Sequence, residues 1–356
     1  MSADGGDLEA FAAGRAIPVP VAAIGDELAA LWRLAATPGG RTAVTRACLW
    51  NLIVHTTAAG FERAKRLVDD VSPTVPARVL VLKTDRAAPT ATPRAWIEAY
   101  WRSVDGGAHQ IGSEEVTLEG DGAAVDDLAA AVRALLVPDV PTAALWSGAS
   151  PDGASPLDVE LLRSADRVIT EGDSERDLRS VAALLDEFCL PGCADPIALA
   201  WLRAAPWRSL LAGLFDPPSP PGDLFTVQEI AIAGPPEAEG AALLLLGWLG
   251  ARLGLADGWR SGAGHFAFRG PHGEVGARLE LAPGAEAPFS SVTLRTAGGD
   301  YGLARSGPAV IHNTPALAWR VPFVAPTEAE LLVAALSGRG RDPLYVEALG
   351  RVVAIR

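Results

Sequence analysis

A run of stacked prolines, Asp216-Pro-Pro-Ser-Pro-Pro-Gly-Asp223, breaks the apolar periodicity of the chain. Proline lacks an amide hydrogen and fixes φ, so this stretch can neither continue a helix nor sit in a central strand. It reads as a stiff extended linker over 216–223, which predicts two separately folded bodies. Length agrees. At roughly 150 residues per domain, 356 residues make about two domains, each able to bury its own core.

Ahead of the linker, residues 1–20 are rich in Gly, Ala and Pro and predict a loose tail. From 21 to 215 strand and helix periods alternate. Leu28, Leu31, Trp32 and Leu34 share a helical face behind a capping Asp26, and Cys48, Trp50, Leu52 and Val54 have strand spacing. The pattern predicts a helix over Phe61–Val71, a buried strand over Ala77–Leu82 and a hairpin from Trp96–Arg102 and Glu114–Glu119. A helix over Val125–Val137 and a strand over Thr142–Trp146 follow. Next come a helix over Leu157–Arg163, a strand over Arg167–Thr170 and a helix capped by Ser174 running to Phe188. This is an α/β domain with a mixed, mainly parallel sheet flanked by helices. Ala198–Phe215 reads as helical, interrupted at Pro206.

Behind the linker, residues 224–356 predict an α+β domain, an antiparallel sheet with helices on one face. The strand Thr226–Ile232 leads to the helix Glu237–Leu253. Four or five short strands then lie between 264 and 323, before helices over Thr327–Leu336 and Pro343–Val353.

A net charge of −13 argues against a phosphate-tracking nucleic-acid binder or a protein of anionic membrane surfaces. The first residues are acidic where a signal peptide is basic. The most apolar run, Ala241–Ala251, is shorter than the roughly 20 residues a spanning helix needs. The expectation is a soluble cytoplasmic protein.

Neither Lys65 nor Lys83 lies in a phosphate loop. Gly262-Ala-Gly264-His-Phe-Ala267 matches the loose dinucleotide pattern but runs on with strand period, where a pyrophosphate site needs a helix. The five histidines are scattered, and no nucleophile elbow is present. Cys189-Leu-Pro-Gly-Cys193 admits two readings, a redox switch or two reduced thiols near a core. With Cys48 as the third cysteine there is no second pair for a zinc site. Glu114 and Glu115 are strand neighbours and should face opposite ways. Trp201, Arg203, Pro206, Trp207 and Arg208 are either core or an exposed partner-binding patch. No catalytic residue, cofactor site or metal site is expected.

Several segments are familiar in their order and spacing: Thr45–Val54, Arg78–Leu82, Ser113–Leu118, Leu135-Leu-Val-Pro-Asp-Val-Pro141 leading to Leu145-Trp-Ser-Gly148, and Ala165–Ile169. Leu199-Ala-Trp-Leu-Arg203, Pro206–Asp216 and Gly340–Leu349 complete the set. Together they resemble the OpcA family, glucose-6-phosphate dehydrogenase assembly proteins, across residues 40–355. The resemblance implies a non-enzymatic partner that favours the active oligomer of glucose-6-phosphate dehydrogenase and so promotes oxidative pentose phosphate flux. It marks Pro138, Asp139, Pro141 and Trp146, with Trp201, Arg203, Pro206, Trp207 and Arg208, as family-motif or partner-binding residues. Many relatives carry cysteine where this chain has Gly112, so redox control is not carried over. The alternative is a sugar-phosphate enzyme or sensor. Its ligand would lie at the strand C-termini, in the loops after Leu82, Trp146 and Thr170, with Ser147–Ser150 as a phosphate-holding turn.

Overall fold

The computed structural model describes residues 14–35, 43–104, 109–151, 155–187, 195–216, 222–338 and 340–356. In chain order the elements are β1 (Ile17–Val19), α1 (Ile24–Ala35), β2 (Ala43–Arg46), β3 (Trp50–Thr57), α2 (Phe61–Val71), β4 (Ala77–Asp85), β5 (Ala91–Val104), β6 (His109–Asp121), α3 (Leu128–Leu135), β7 (Thr142–Ser147), α4 (Pro156–Ser164), β8 (Arg167–Thr170) and α5 (Glu175–Glu187). They continue with β9 (Asp195–Ala198), α6 (Leu199–Arg203), α7 (Ala205–Gly213), β10 (Val227–Gly234), α8 (Glu239–Arg252), β11 (Ala256–Gly262), β12 (His265–Gly270), β13 (Gly273–Leu281), β14 (Ser291–Thr296), β15 (Gly299–Ser306), β16 (Ala309–Asn313), β17 (Ala318–Pro322), α9 (Glu328–Ser337) and α10 (Pro343–Val353).

The chain divides into two compact units. The first takes in Met1–Thr170, Phe188–Pro196 and Glu328–Gly338. Its sheet runs β1-β5-β6-β4-β3-β7-β8-β9, with β2 beside β6. β6, β4, β3, β7 and β8 are parallel neighbours, and β5 joins β6 as the antiparallel hairpin expected from the sequence. The central strands read as unbroken apolar runs because helices cover both faces of a parallel sheet. Six of the eight residues of β3 are buried accordingly. α2 turns Ala64, Leu67, Val68 and Val71 inward. α4 begins where Ser155 accepts from the Asp158 amide at 3.3 Å, with proline just inside the start.

The second unit takes in Glu171–Glu187, Ile197–Thr327 and Arg339–Arg356. Its sheet runs β11-β12-β13-β10-β14-β15-β16-β17, antiparallel except where β10 meets β13. α8 is buried almost all round, which explains its uniformly apolar sequence. At its first turn Gly240 donates to the Asp173 carbonyl at 2.9 Å. A Cβ at Gly240 would come within 1.7 Å of the Gly172 carbonyl oxygen, so the backbones meet only through glycine.

The division differs from the one predicted at 216–223. α5 belongs with the second unit, where Arg179 reaches the carbonyls of Val353 and Ile355 at 3.2 and 3.3 Å. α9 belongs with the first, held by Arg63 to Glu328 at 2.6 Å and by Arg167 to the Ala335 carbonyl at 2.6 Å. A linear apolar pattern shows that a helix has a buried face but not which body covers it. Residues 1–13 of the predicted tail and residues 217–221 of the predicted linker lie outside the described residues, whereas Ile17–Val19, read as part of that loose tail, form β1 against β5 with Ile17 buried. Element readings also change, and β9 and β11 form where the sequence predicts no strand. α3 is shorter than predicted, preceded by a 3-10 turn at Gly122–Val125. Six strands, not four or five, lie between 264 and 323, because two-residue turns at 271–272, 297–298 and 307–308 divide the apolar runs. The loose dinucleotide pattern is one such turn, joining β11 to β12 with Gly264 at φ +66°. No helix among the described residues is long and apolar enough to cross a membrane.

Candidate functional site

The short helices α6 and α7 carry the Trp–Arg segment. They meet at Ala204, and Pro206 sits in the first turn of α7, where its missing amide hydrogen costs nothing. Trp201 is 1 % exposed. Its indole donates to Asp342 Oδ2 at 2.8 Å. The other oxygen of Asp342 accepts from the amides of Leu344 and Tyr345 at 2.9 and 3.2 Å, capping α10. Arg208 lies 3.3 Å over the Trp201 ring and donates to the Trp201 carbonyl at 2.7 Å. Burial pulls its guanidinium down to about 10, with Asp342 opposing. Trp207 is wholly buried between Phe289 and Phe323, at 5.4 and 5.7 Å. Arg203 pairs with Asp173 at 2.8 Å. The tryptophans are therefore core, and the half-buried arginines are taken up inside the unit. The segment is a clamp between α6, α7 and α10, not an exposed patch.

Pro138, Asp139 and Pro141 lie elsewhere, exposed on the loop that enters β7. Asn51 stakes that loop from below. Its side chain donates to the carbonyls of Val137 and Val140 at 3.0 and 3.1 Å and accepts from the Val137 amide at 2.9 Å. Asp139 can then hold φ +60°, a conformation that Asp tolerates better than most residues. Asn51→Ala should cost about 2–3 kcal/mol, since it strands buried backbone groups. Urea unfolding measures this, and a loss under about 0.5 kcal/mol would mean the loop holds itself.

Trp146 sits at the opposite end of β7, fully buried. Here the sheet order reverses between β3 and β7, the place where open α/β sheets take ligands. In this chain buried polar side chains meet there. The Trp146 indole donates to Asp158 Oδ1 at 2.8 Å, and His55 Nδ1 lies 3.3 Å from the same oxygen. His55 Nε2 meets Thr84 Oγ1 at 3.0 Å, while the Thr84 hydroxyl donates to the Thr56 carbonyl at 3.3 Å. A nucleophilic threonine would instead give its proton to the imidazole. Gly60, at the entrance to α2, has no room for a Cβ, which would meet Thr56 Oγ1 at 2.7 Å. Thr84, His55, Asp158 and Trp146 thus lie in one buried run at this end of the sheet. Ser147, at the start of the proposed phosphate-holding turn, is buried.

The paired carboxylates face opposite ways, as expected. Glu114 accepts from the Trp32 indole at 2.5 Å and pairs with Arg78. Glu115 pairs with Lys65 on α2, which also holds Glu98. Cys48 is half-buried, with its thiol 3.4 Å from the Trp50 carbonyl, while Cys189 and Cys193 lie outside the described residues. Among the described residues no group of His, Cys, Asp and Glu could hold a metal. Sequence reasoning missed the clamp's third member. Asp342 followed by Pro343 is a helix-start signal, but nothing in the sequence pairs it with an indole 141 residues away.

Residues 68–186 match the family model described as the glucose-6-phosphate dehydrogenase subunit N-terminal domain, and residues 192–349 match that of its C-terminal domain. The chain belongs to the OpcA family. It is 32 % identical to the OxPP cycle protein OpcA of Synechocystis sp. over 145 residues, covering 39 % of this chain and 29 % of that one. It is 28 % identical to the protein of the same name from Nostoc punctiforme over 201 residues, 56 % of this chain and 42 % of that one. The matched stretches thus span less than half the length of these relatives. Among solved structures, UDP-N-acetylglucosamine 3-dehydrogenase of Acidithiobacillus ferrooxidans overlays with a TM-score of 0.45 at 10 % identity, covering 86 % of this chain and 95 % of that one. No argument rests on a likeness of that degree. The OpcA C-terminal match contains the whole Trp201–Arg208–Asp342 clamp. The N-terminal match contains Pro138, Asp139, Pro141 and Trp146.

Proposed function

We propose that this OpcA-family protein is a non-enzymatic partner of glucose-6-phosphate dehydrogenase that binds the assembled, active enzyme in preference to its dissociated or inactive form. The observation that carries the reading is the pair of family matches, both described as domains of a subunit of that dehydrogenase. The buried Trp146–Asp158–His55 contacts at the β3–β7 reversal support it, because those side chains are engaged with one another there.

A partner needs no reacting group. Differential binding shifts the dehydrogenase population by mass action, and a 100-fold preference supplies about 2.7 kcal/mol. More of the active oligomer would mean more oxidative pentose phosphate flux. The exposed loop at Pro138, Asp139 and Pro141 is the part of the motif set left available to a partner.

Size-exclusion chromatography with light scattering tests the reading on the two full-length proteins. Co-elution at a mass above that of the dehydrogenase alone is expected. Independent elution at tens of micromolar of each would overturn it. Asp139→Arg should cost no more than about 1–2 kcal/mol, because the residue is exposed and the cost is that of holding φ +60° without Asp. It should also weaken co-elution at least tenfold if the loop is a contact.

A further inference from the structure

A cleft of about 520 Å³ opens in the second unit between the C-terminal end of α8, the strands β11 and β12, and the end of α10. That volume is in the range of small-molecule sites. Its floor is apolar, made by Leu246, Leu255, Phe268 and Ile355, all buried. Its rim carries the guanidiniums of Arg269 and Arg351 and the ring of Trp259, which is 37 % exposed. A partly exposed aromatic ring of that size beside an apolar floor is a surface on which a planar ring can stack.

The backbone at the rim is shaped in an unusual way. β11 bulges between Ala256 and Trp259, and Asp257 within the bulge has φ +47°. Bulges re-aim side chains, and held strain of this kind gathers at binding sites. Gly258 allows it, since a Cβ there would meet Phe268 Cε1 at 2.6 Å and Ile355 Cγ1 at 3.2 Å. Arg356, which also lines the cleft, holds the bulge through its backbone, its amide donating to the Gly258 carbonyl at 3.1 Å and its carbonyl accepting from the Arg260 amide at 2.9 Å.

The charges are unequal. Asp257 pairs with Arg269 at 3.0 Å. Arg351 donates to the Leu255 carbonyl at 2.7 Å, and no carboxylate pairs with it among the described residues. Each guanidinium has five N–H donors in a planar fork suited to phosphate, so both retain capacity. The C-termini of α8 and α10 end nearby and repel anions, which sets a reason for the arginines but leaves Arg351 in excess. We propose that this cleft binds a nucleoside phosphate, with its ring on the apolar floor beside Trp259 and its phosphate on Arg269 and Arg351.

The proposal is independent of the dehydrogenase reading and is tested on the full chain alone. Isothermal titration with AMP, adenosine and ribose 5-phosphate separates the two halves of the ligand. AMP should bind with a sub-millimolar Kd, at least tenfold tighter than either half. Trp259→Ala and Arg269→Gln, both at exposed positions, should each weaken AMP at least fivefold without moving the melting temperature. AMP binding no tighter than ribose 5-phosphate, no binding at 1 mM, or AMP binding by both variants as tight as by the unaltered protein would each overturn it.

Discussion

Trp201→Ala should destabilise the second unit by about 3–5 kcal/mol, the range for removing a buried tryptophan. The ring is 1 % exposed, packs on Tyr345 at 5.8 Å and carries the Arg208 guanidinium on its face. Deleting it opens a cavity and leaves the half-buried Arg208 guanidinium without its surface. Asp342 also loses the indole while keeping its cap on α10. Trp201→Phe retains a ring and removes mainly the 2.8 Å hydrogen bond, so it should cost about 1–2 kcal/mol. Denaturant unfolding of both variants measures the difference. Equal small losses, under 1 kcal/mol, would mean that the ring is not part of the core.

Lys65→Met should cost a similar 3–5 kcal/mol at pH 8, because it leaves buried carboxylates without their cation. Lys65 serves both Glu98 and Glu115, and Glu115 is wholly buried. Burial pushes Glu115 up to about 7, with Lys65 opposing and Glu98 adding. Burial alone would lower Lys65, but Glu115 and then Glu98 more than reverse this. A carboxyl raised in the folded state works against folding once pH exceeds its ordinary value near 4.5, and the penalty grows until pH passes about 7. Stability from this group therefore rises as pH falls from 8 to 5. The cost of Lys65→Met should shrink over the same interval as the stranded carboxyls take up protons. Glu115→Gln should stay within about 1 kcal/mol of wild type at pH 8, and its stability should vary less with pH. Urea titrations at pH 5 and 8 decide this. A Lys65→Met cost that is the same at both would contradict the shared-cation arrangement.

Apolar period made much of the fold legible. β8 spans the predicted Arg167–Thr170 and α2 the predicted Phe61–Val71, because each is a short run with one buried side or two. The antiparallel β5–β6 hairpin was readable too, but its full length was not. Both strands carry buried charges, and Glu98, Glu114 and Glu115 look like solvent residues until Lys65, Arg78 and Trp32 are seen beside them. The allegiance of α5 and α9 was illegible for a related reason. Their partners, Val353 for Arg179 and Arg63 for Glu328, lie 174 and 265 residues away in the sequence. The Trp–Arg motif shows the same limit at the site. Its residue types suit a hot spot and a core equally, and only the placement of Asp342 against Trp201 settles which it is.

The role proposed for this chain is to raise the activity of glucose-6-phosphate dehydrogenase by favouring its assembled form. The direct test is the initial rate of the dehydrogenase from the same organism on glucose 6-phosphate. The full-length protein is titrated in, and the oligomer mass is followed in parallel. The rate should rise and saturate as the assembled fraction rises, while this protein alone turns over no substrate. A rate and an oligomer mass that stay unchanged through tens of micromolar would contradict the claim.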